Sequence, residues 1–263
     1  MESKKRALVI GAGAMGTWIA RRMLDSYDVR ITDIDKRRAV ELEWQLYKRF
    51  IENPRYSDYE IIINAVNLSS SVGVIRKLRE SGYEGTVIDI SSLKRAVNDE
   101  LSRLRATTVS VHPLFGPGAR RLEGRTVLLV PVKDRDAEAE IASSMFSGAK
   151  IVEIDAELHD RLVAHTIQLT HILSLIANRL MVHDPDLLGT GSRLMRYVEA
   201  VSLHSSSRLI EEMLRLNPES RGLFEEIRKT LSEIERGNYE FEESGEMKEL
   251  YERIYNAIDN GCI

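Results

Sequence analysis

The chain has 263 residues, which is enough for one large domain or two smaller ones, and we expect two. Its hydrophobic content of 43%, charged content of 30% and formal net charge of -4 describe an ordinary globular protein. They exclude the basic excess that nucleic-acid binding favours, so we expect no nucleic-acid partner. The single cysteine, Cys262, can form neither an internal disulfide nor a cysteine-based metal site, and we expect a cytoplasmic protein without a bound metal.

The sequence contains no strong signal for export or for a membrane span. The N-terminus has a basic and then apolar order, but glycines interrupt the apolar part, so we expect no signal peptide. The longest uncharged run, residues 162–178, contains histidine, glutamine, asparagine, threonine and serine. It is too short and too polar to cross a bilayer, so we expect no membrane partner.

Short apolar runs alternate with amphipathic segments through residues 1–154. Seven runs rich in valine, isoleucine and leucine predict buried strands: KRALVI, DVRITD, EIIINAV, TVIDI, TTVSV, TVLLV and KIVEI. Four stretches between them predict helices: MGTWIARRML, VGVIRKLRES, LKRAVNDELSRL and AEAEIASSMF. The alternation predicts an α/β domain over residues 1–154, with a mainly parallel, doubly wound sheet of the Rossmann type.

Residues 155–263 are predicted to form an all-α domain, because apolar residues recur there at helical spacing. A helix over residues 157–182 would carry an apolar stripe on one side and a polar stripe on another. The apolar stripe is Leu162, Leu169, Leu173, Ile176 and Leu180, and the polar stripe is Asp160, Gln168, His171 and Asn178. At 1.5 Å per residue this helix would run about 39 Å, long enough to reach a second subunit.

The first predicted strand leads directly into the glycine-rich stretch GAGAMG. Gly11, Gly13 and Gly16 have the G-x-G-x-x-G spacing. In that motif the first glycine makes the tight turn, the second lets the backbone approach a pyrophosphate, and the third permits close packing of helix on strand. We therefore expect a dinucleotide site formed by Gly11, Ala12, Gly13, Ala14, Met15 and Gly16.

Asp33, at the end of the second predicted strand, favours NAD over NADP. Its carboxylate can accept a hydrogen bond from the ribose 2′-hydroxyl and would repel the additional phosphate of NADP. Lys36, Arg37 and Arg38 follow at once and leave NADP open as the less favoured alternative.

A second pair of polar residues follows two strands that we expect to be neighbours. Ser92 comes shortly after TVIDI, and His112 comes directly after TTVSV. Ligands of open parallel sheets bind beyond the carboxyl ends of the strands, so both side chains should lie on the nicotinamide side. We expect the proline and glycines of HPLFGP to fold this loop back and to present the His112 ring to solvent.

Taken together, DISSLK and HPLFGP resemble the motifs of the prephenate dehydrogenase family, whose members also include arogenate and cyclohexadienyl dehydrogenases of tyrosine biosynthesis. The later stretch HDRLVAHTIQLTHI is similar to that family's first long helix. The resemblance implies a Rossmann-type domain followed by an all-helical dimerisation domain. It implies that His112 is the catalytic histidine, that Ser92 hydrogen-bonds the substrate ring hydroxyl, and that His171 lies on the substrate side. Arg196, with Arg193 as an alternative, would bind a substrate carboxylate, and Ala65 and Val66 would lie against the cofactor.

By this resemblance the reaction is the NAD-dependent oxidative decarboxylation of prephenate to 4-hydroxyphenylpyruvate. Three alternatives stay open: an arogenate dehydrogenase that forms tyrosine directly, a related reductase of 3-hydroxy acids or imines, and a nucleotide sensor without catalysis. Fusion to chorismate mutase in a longer polypeptide also stays open. Because His112 must be unprotonated to accept the hydroxyl proton, turnover should fall as the pH drops through about 6.5.

Overall fold

The computed structural model describes residues 4–204, 206–240 and 244–261. Cys262, on which the expectation of a reducing location depends, lies outside the described residues. All seven predicted strands are present, and they form one sheet. The strands are β1 (Arg6–Ile10), β2 (Asp28–Thr32), β3 (Ile61–Asn64), β4 (Thr86–Asp89), β5 (Thr107–Pro113), β6 (Thr126–Leu129) and β7 (Lys150–Glu153).

The strand order is β2-β1-β3-β4-β5-β6-β7. The first five strands of this order are mutually parallel, β6 is antiparallel to β5, and β7 is parallel to β6. The chain therefore changes direction across the sheet between β1 and β3, and such a switch point is where open α/β sheets bind ligands. This arrangement confirms the predicted Rossmann-type, doubly wound sheet.

Twelve α-helices connect and follow the strands in the described residues. The first six are α1 (Ala14–Met23), α2 (Arg38–Glu41), α3 (Trp44–Tyr47), α4 (Leu68–Glu80), α5 (Arg95–Leu101) and α6 (Arg135–Met145). The last six are α7 (Ala156–Val163), α8 (Leu169–Leu180), α9 (Thr190–Leu203), α10 (Ser207–Leu216), α11 (Ser220–Glu235) and α12 (Gly245–Asp259). Short 3₁₀ turns cover Tyr56–Asp58 and Pro185–Leu187.

The sheet is buried on both faces because side chains of a strand alternate between them. In β1, Val9 packs into a core with Trp18 of α1 and with Phe146, which directly follows α6. Leu8 packs into a second core with Ile75 of α4 and Leu101 of α5. Burial on both faces explains why these strands are continuous apolar runs in the sequence.

The predicted long helix is present, but a π-helical turn over Ala164–Gln168 divides it into α7 and α8. Its polar side is the buried one, since Asp160, Gln168 and His171 have almost no exposed surface. Its apolar stripe is exposed in part, with Leu180 75% exposed. The predicted apolar stripe is therefore not the buried side of the helix.

The contacts divide the chain into two compact units, residues 1–220 and 221–263. The first unit contains the sheet together with the helices from α7 to α10. The second contains most of α11 and all of α12. Within the described residues, no helix has both the length and the apolar character that crossing a membrane requires.

Candidate active site

The glycine-rich turn after β1 has the geometry that a dinucleotide needs. Gly11 has φ +108°, and a Cβ there would lie 2.4 Å from the Ala65 carbonyl oxygen. A Cβ on Gly16 would lie 1.9 Å from the Gly11 carbonyl oxygen, so helix and turn can pack only without it. A Cβ on Gly13 would meet no atom within 4 Å, so the space in front of the helix N-terminus is open. The residues fit a bound pyrophosphate.

A cavity of about 360 Å³ lies in front of this turn. It is lined by Ala12, Gly13, Ala14, Thr17, Trp18, Arg21, Arg38, Glu41, Leu42 and Pro117. Asp33 lies close by, because its Oδ2 accepts a hydrogen bond of 2.7 Å from the Ala12 backbone N–H. Its Oδ1 accepts from the Asp35 backbone N–H at 2.9 Å. Each carboxylate oxygen can accept a further hydrogen bond, so Asp33 can still bind a ribose hydroxyl.

The three basic residues after Asp33 each have a carboxylate partner. The pairs are Lys36 with Glu52, Arg37 with Asp35, and Arg38 with Glu41. The Arg37 guanidinium lowers the pKa of Asp35 to about 2. These pairs leave the segment with no net excess of positive charge, which argues against a phosphate-binding role.

His112 lies inside strand β5 and not in an open loop. It pairs with Leu128 of β6 and is only 5% exposed. The expectation that HPLFGP presents the ring to solvent is therefore wrong. Pairing with the antiparallel β6 extends β5 through Pro113 and buries the ring between the sheet and the helices that follow.

The rest of HPLFGP folds back over α1. The Trp18 indole N–H donates to the Ala119 carbonyl at 2.8 Å, and the Phe115 ring packs edge-on to Trp18 with centroids 5.3 Å apart. Pro117 thereby reaches the cavity at the glycine-rich turn. The loop joins the His112 strand to the predicted dinucleotide site.

A line of hydrogen bonds runs from His112 into the first helix after the sheet. His112 Nδ1 lies 3.0 Å from Nε2 of His159, and Nδ1 of His159 lies 2.8 Å from Oδ1 of Asp160. Asp160 also accepts hydrogen bonds from the backbone N–H groups of Lys94 and Arg95, at 2.8 and 3.2 Å. All three side chains in this line are buried.

A buried ion pair lies beside this line. Lys94 Nζ donates to Asp89 Oδ1 at 2.8 Å, and both side chains are fully buried. Asp89, at the end of β4, also accepts from the Ser91 hydroxyl and the Asn64 amide, so its charge is well compensated. Breaking such a pair at one partner typically costs about 3–5 kcal/mol. Lys94 therefore fixes the loop that carries Ser92.

The electrostatic surroundings keep His112 neutral. Burial lowers the pKa of His112 well below its usual value, and neighbouring His159 and Lys94 lower it further. Burial also lowers the pKa of His159, although the hydrogen bond that its ring donates to Asp160 opposes this change. The expected loss of activity near pH 6.5 is therefore corrected to a more acidic pH.

Ser92 and His112 lie at the same edge of the sheet, since β4 and β5 are neighbours in parallel register. Ser92 is half-buried in the loop between β4 and α5. His171 on α8 is buried, and its Nδ1 donates to the Ile167 carbonyl at 2.8 Å. Its Nε2 makes no hydrogen bond of good geometry among the described residues, although the Ser202 backbone is close enough to raise the pKa of the ring. The substrate-side role of His171 stays a prediction.

Both candidate arginines on α9 are engaged within the helical part. Arg196 forms an ion pair with the buried Glu199, one turn further along α9. Arg193 donates to the backbone carbonyl of Leu188 at 3.1 Å. The structure shows neither guanidinium in contact with His112, so the carboxylate-binding role stays a prediction for both.

Sequence reasoning missed the contributions of His159, Asp160 and Lys94. The His-Asp pair and the Lys94 of DISSLK were visible as parts of motifs. Their role depends on long-range contacts, since α7 returns to the carboxyl edge of β4 and β5 only in the folded chain. Among the described residues, no group of three histidine, cysteine, aspartate or glutamate side chains could hold a metal ion.

The Rossmann-type sheet and the open glycine turn define a dinucleotide-binding protein, with the buried His112 at the carboxyl end of β5 in the same sheet. A family model described as "Prephenate dehydrogenase, nucleotide-binding domain" matches residues 18–153, slightly more than half of the chain. The chain therefore belongs to the prephenate dehydrogenase family.

Relatives of known sequence or structure are consistent with this assignment. A "probable arogenate/prephenate dehydrogenase" of Methanocaldococcus jannaschii is 28% identical over 179 residues, which cover 63% of this chain and 40% of that protein. The chain thus spans less than half the length of this curated relative.

Two solved structures share the fold over nearly the whole chain. Prephenate dehydrogenase from A. aeolicus, solved with hydroxyphenyl propionate and NAD+, has a TM-score of 0.70 at 16% identity and covers 98% of this chain and 96% of its own. Synechocystis arogenate dehydrogenase has a TM-score of 0.62 at 18% identity, and the match covers 97% of this chain and 99% of that protein.

Proposed function

We propose that this protein is an NAD-dependent dehydrogenase that converts prephenate to 4-hydroxyphenylpyruvate with loss of carbon dioxide. The observation that carries the proposal is the buried, neutral His112 at the carboxyl end of β5, in the same sheet as a glycine turn that fits a dinucleotide. Arogenate, which differs from prephenate in its side chain, is the second candidate substrate. The relatives support both, since one solved neighbour is a prephenate dehydrogenase and another an arogenate dehydrogenase.

Each residue has a defined task in this proposal. A nicotinamide bound beyond the glycine turn would supply the hydride acceptor, held by residues 11–16 and by Ala65 and Val66 at the end of β3. His112 accepts the proton of the ring hydroxyl as the carbon beneath it loses hydride. Ser92 orients that hydroxyl from the neighbouring loop. His171 donates or accepts a hydrogen bond on the substrate side, and Arg196 binds a carboxylate.

NAD is the proposed cofactor because negative charge dominates where the 2′-phosphate of NADP would bind. Asp33 lies at the end of β2, and the pairing of Lys36, Arg37 and Arg38 with carboxylates removes the competing cations. The complex of the A. aeolicus protein with NAD+ supports the same choice.

The protein is proposed to form a homodimer through α8 and α9. Large apolar residues on these two packed helices are strongly exposed in the single chain: Leu173, Leu175, Ile176, Leu180, Tyr197, Val198 and Val201. An exposed apolar surface of this kind marks a protein interface. We propose that a second copy of the chain covers this surface. The proposed location of the enzyme is the cytoplasm. Fusion to chorismate mutase stays a prediction.

The decisive experiment incubates the purified protein with prephenate or with arogenate, each with NAD+ and with NADP+, and follows the absorbance of the reduced cofactor. We expect reduction of NAD+ with prephenate and formation of 4-hydroxyphenylpyruvate. Faster turnover of arogenate, with tyrosine as the product, would reassign the substrate. No cofactor reduction with either compound would reject the function.

A further inference from the structure

The His112–His159–Asp160 line determines which nitrogen of each ring carries a proton. Asp160 accepts hydrogen bonds from two backbone N–H groups and from the His159 ring. These donors stabilise the ionised carboxylate, which can only accept hydrogen bonds. Nδ1 of His159 must therefore be the protonated nitrogen of that ring.

The same reasoning extends one ring further. With Nδ1 protonated, the neutral His159 has an unprotonated Nε2, which can only accept. Its neighbour at 3.0 Å is Nδ1 of His112, and this atom must then be the donor. A neutral His112 consequently has its lone pair on Nε2.

We propose that His159 and Asp160 are positioning residues that hold His112 in the tautomer protonated on Nδ1, so that Nε2 is the nitrogen that accepts the substrate proton. This inference rests on the proposed function for the identity of the proton donor. The tautomers themselves follow from the hydrogen bonds and do not depend on the substrate.

The line also stabilises the charge that catalysis creates. When the ring hydroxyl loses its proton to Nε2 of His112, the O–H electron pair forms the new carbonyl bond as hydride leaves the ring carbon. A bound nicotinamide would supply the hydride acceptor. His112 becomes a cation that donates through Nδ1 to His159. The Asp160 carboxylate accepts the hydrogen bond from Nδ1 of His159 and supplies the compensating negative charge. Loss of carbon dioxide from the ring then leaves the aromatic product.

The direct test reads the tautomers without catalysis. The full-length protein is labelled with ¹⁵N-histidine, and long-range ¹H–¹⁵N correlations are recorded at pH 7, where each ring nitrogen is identified as protonated or unprotonated. His112→Asn and His159→Gln spectra assign the signals. We expect both His112 and His159 to be protonated on Nδ1 only. A His112 ring protonated on Nε2 would overturn the inference.

Kinetics of His159 variants give an independent readout. His159→Leu removes the acceptor for His112 Nδ1–H, and we expect kcat to fall about 100-fold with little change in the KM for NAD+. His159→Gln offers an amide oxygen in its place, and we expect kcat within about tenfold of wild type. His165→Gln, an exposed histidine on the same long helix, is the matched control and should leave kcat unchanged.

The two proposals fail in different ways. If the expected tautomers are observed but neither prephenate nor arogenate is oxidised, the proposed function fails and the tautomer assignment stands. If wild type is active and a correctly folded His159→Leu variant, checked by circular dichroism, retains full kcat, the positioning role fails. Should His159→Leu not fold, the wild-type spectrum alone decides.

Discussion

The buried position of His112 in a strand determines what its replacement would do. Asparagine is smaller than histidine and can still donate to His159, but it cannot accept a proton near neutral pH. We expect His112→Asn to lower kcat by about 100-fold to 10,000-fold, the usual contribution of a general base. The KM for NAD+ should stay within about twofold, measured by initial rates. A variant as fast as wild type would contradict the role of this histidine.

Turnover should fall only at a pH below the usual pKa of histidine. Burial and the nearby Lys94 lower the pKa of His112, and only the neutral ring can accept a proton. The plot of kcat/KM against pH should therefore stay level from pH 8 through 6.5 and fall only at more acidic pH. A fall centred at or above pH 6.5 would show that the ring titrates as an ordinary, exposed histidine.

At the scale of elements, the turn after β2 sets the choice of cofactor. Asp33→Ser replaces the carboxylate with a hydroxyl, which can still hydrogen-bond a ribose. We expect kcat/KM for NAD+ to fall about tenfold and that for NADP+ to rise, because the repulsion of the 2′-phosphate is lost. Arg38→Ala serves as the companion variant, since Arg38 lines the cavity in front of the glycine turn. Unchanged selectivity in Asp33→Ser would remove Asp33 from cofactor recognition.

The elements were more predictable than their contacts. Short runs rich in valine, isoleucine and leucine predict strands, so all seven could be found from the sequence. The prediction that KIVEI is buried is wrong, since β7 lies at the edge of the sheet and its residues are half-buried or exposed. The pairing of β5 with an antiparallel β6 was invisible to such patterns, and it is why His112 is buried in place of being presented in a loop.

The helices after the sheet show the same limit. Spacing gave the long helix but neither its π-helical turn nor which side would be buried. Asp160, Gln168 and His171 face inward because they hydrogen-bond to partners distant in sequence or to the helix itself, such as the Lys94 and Met213 backbones and the Ile167 carbonyl. Hydrophobic periodicity contains no information about such partners.

At the scale of the whole molecule, the outward apolar face of α8 and α9 predicts a change in assembly. Leu180 and Val201 are 75% and 79% exposed, and a charge at either would be desolvated in a dimer. We expect Leu180→Glu combined with Val201→Glu to convert a dimer to a monomer in sedimentation-velocity experiments. Val40→Glu, an equally exposed apolar residue beside the sheet, should remain dimeric. A double variant that stays dimeric would place the interface elsewhere.

Global stability should also depend on the buried histidines. Burial lowers the pKa values of His112, His159 and His171, so below pH 6.5 the unfolded chain binds more protons than the folded chain. For each pH unit below about 6.5, each of these histidines should lower the free energy of unfolding by up to about 1.4 kcal/mol. We expect Tm to fall between pH 7 and pH 5, with a shallower slope in His171→Leu. A Tm that does not change over this range would contradict their neutral state.

The hydrogen bonds of Asp160 to the start of α5 have a consequence for protein engineering. They hold α7 against the start of α5, although α7 belongs to the part of the sequence that follows the nucleotide-binding half. A fragment cut after Glu153 would retain the glycine turn but lose the acceptor for the His112 ring. Grafting this nucleotide-binding half onto a foreign helical partner would therefore require residues 155–163 to travel with it.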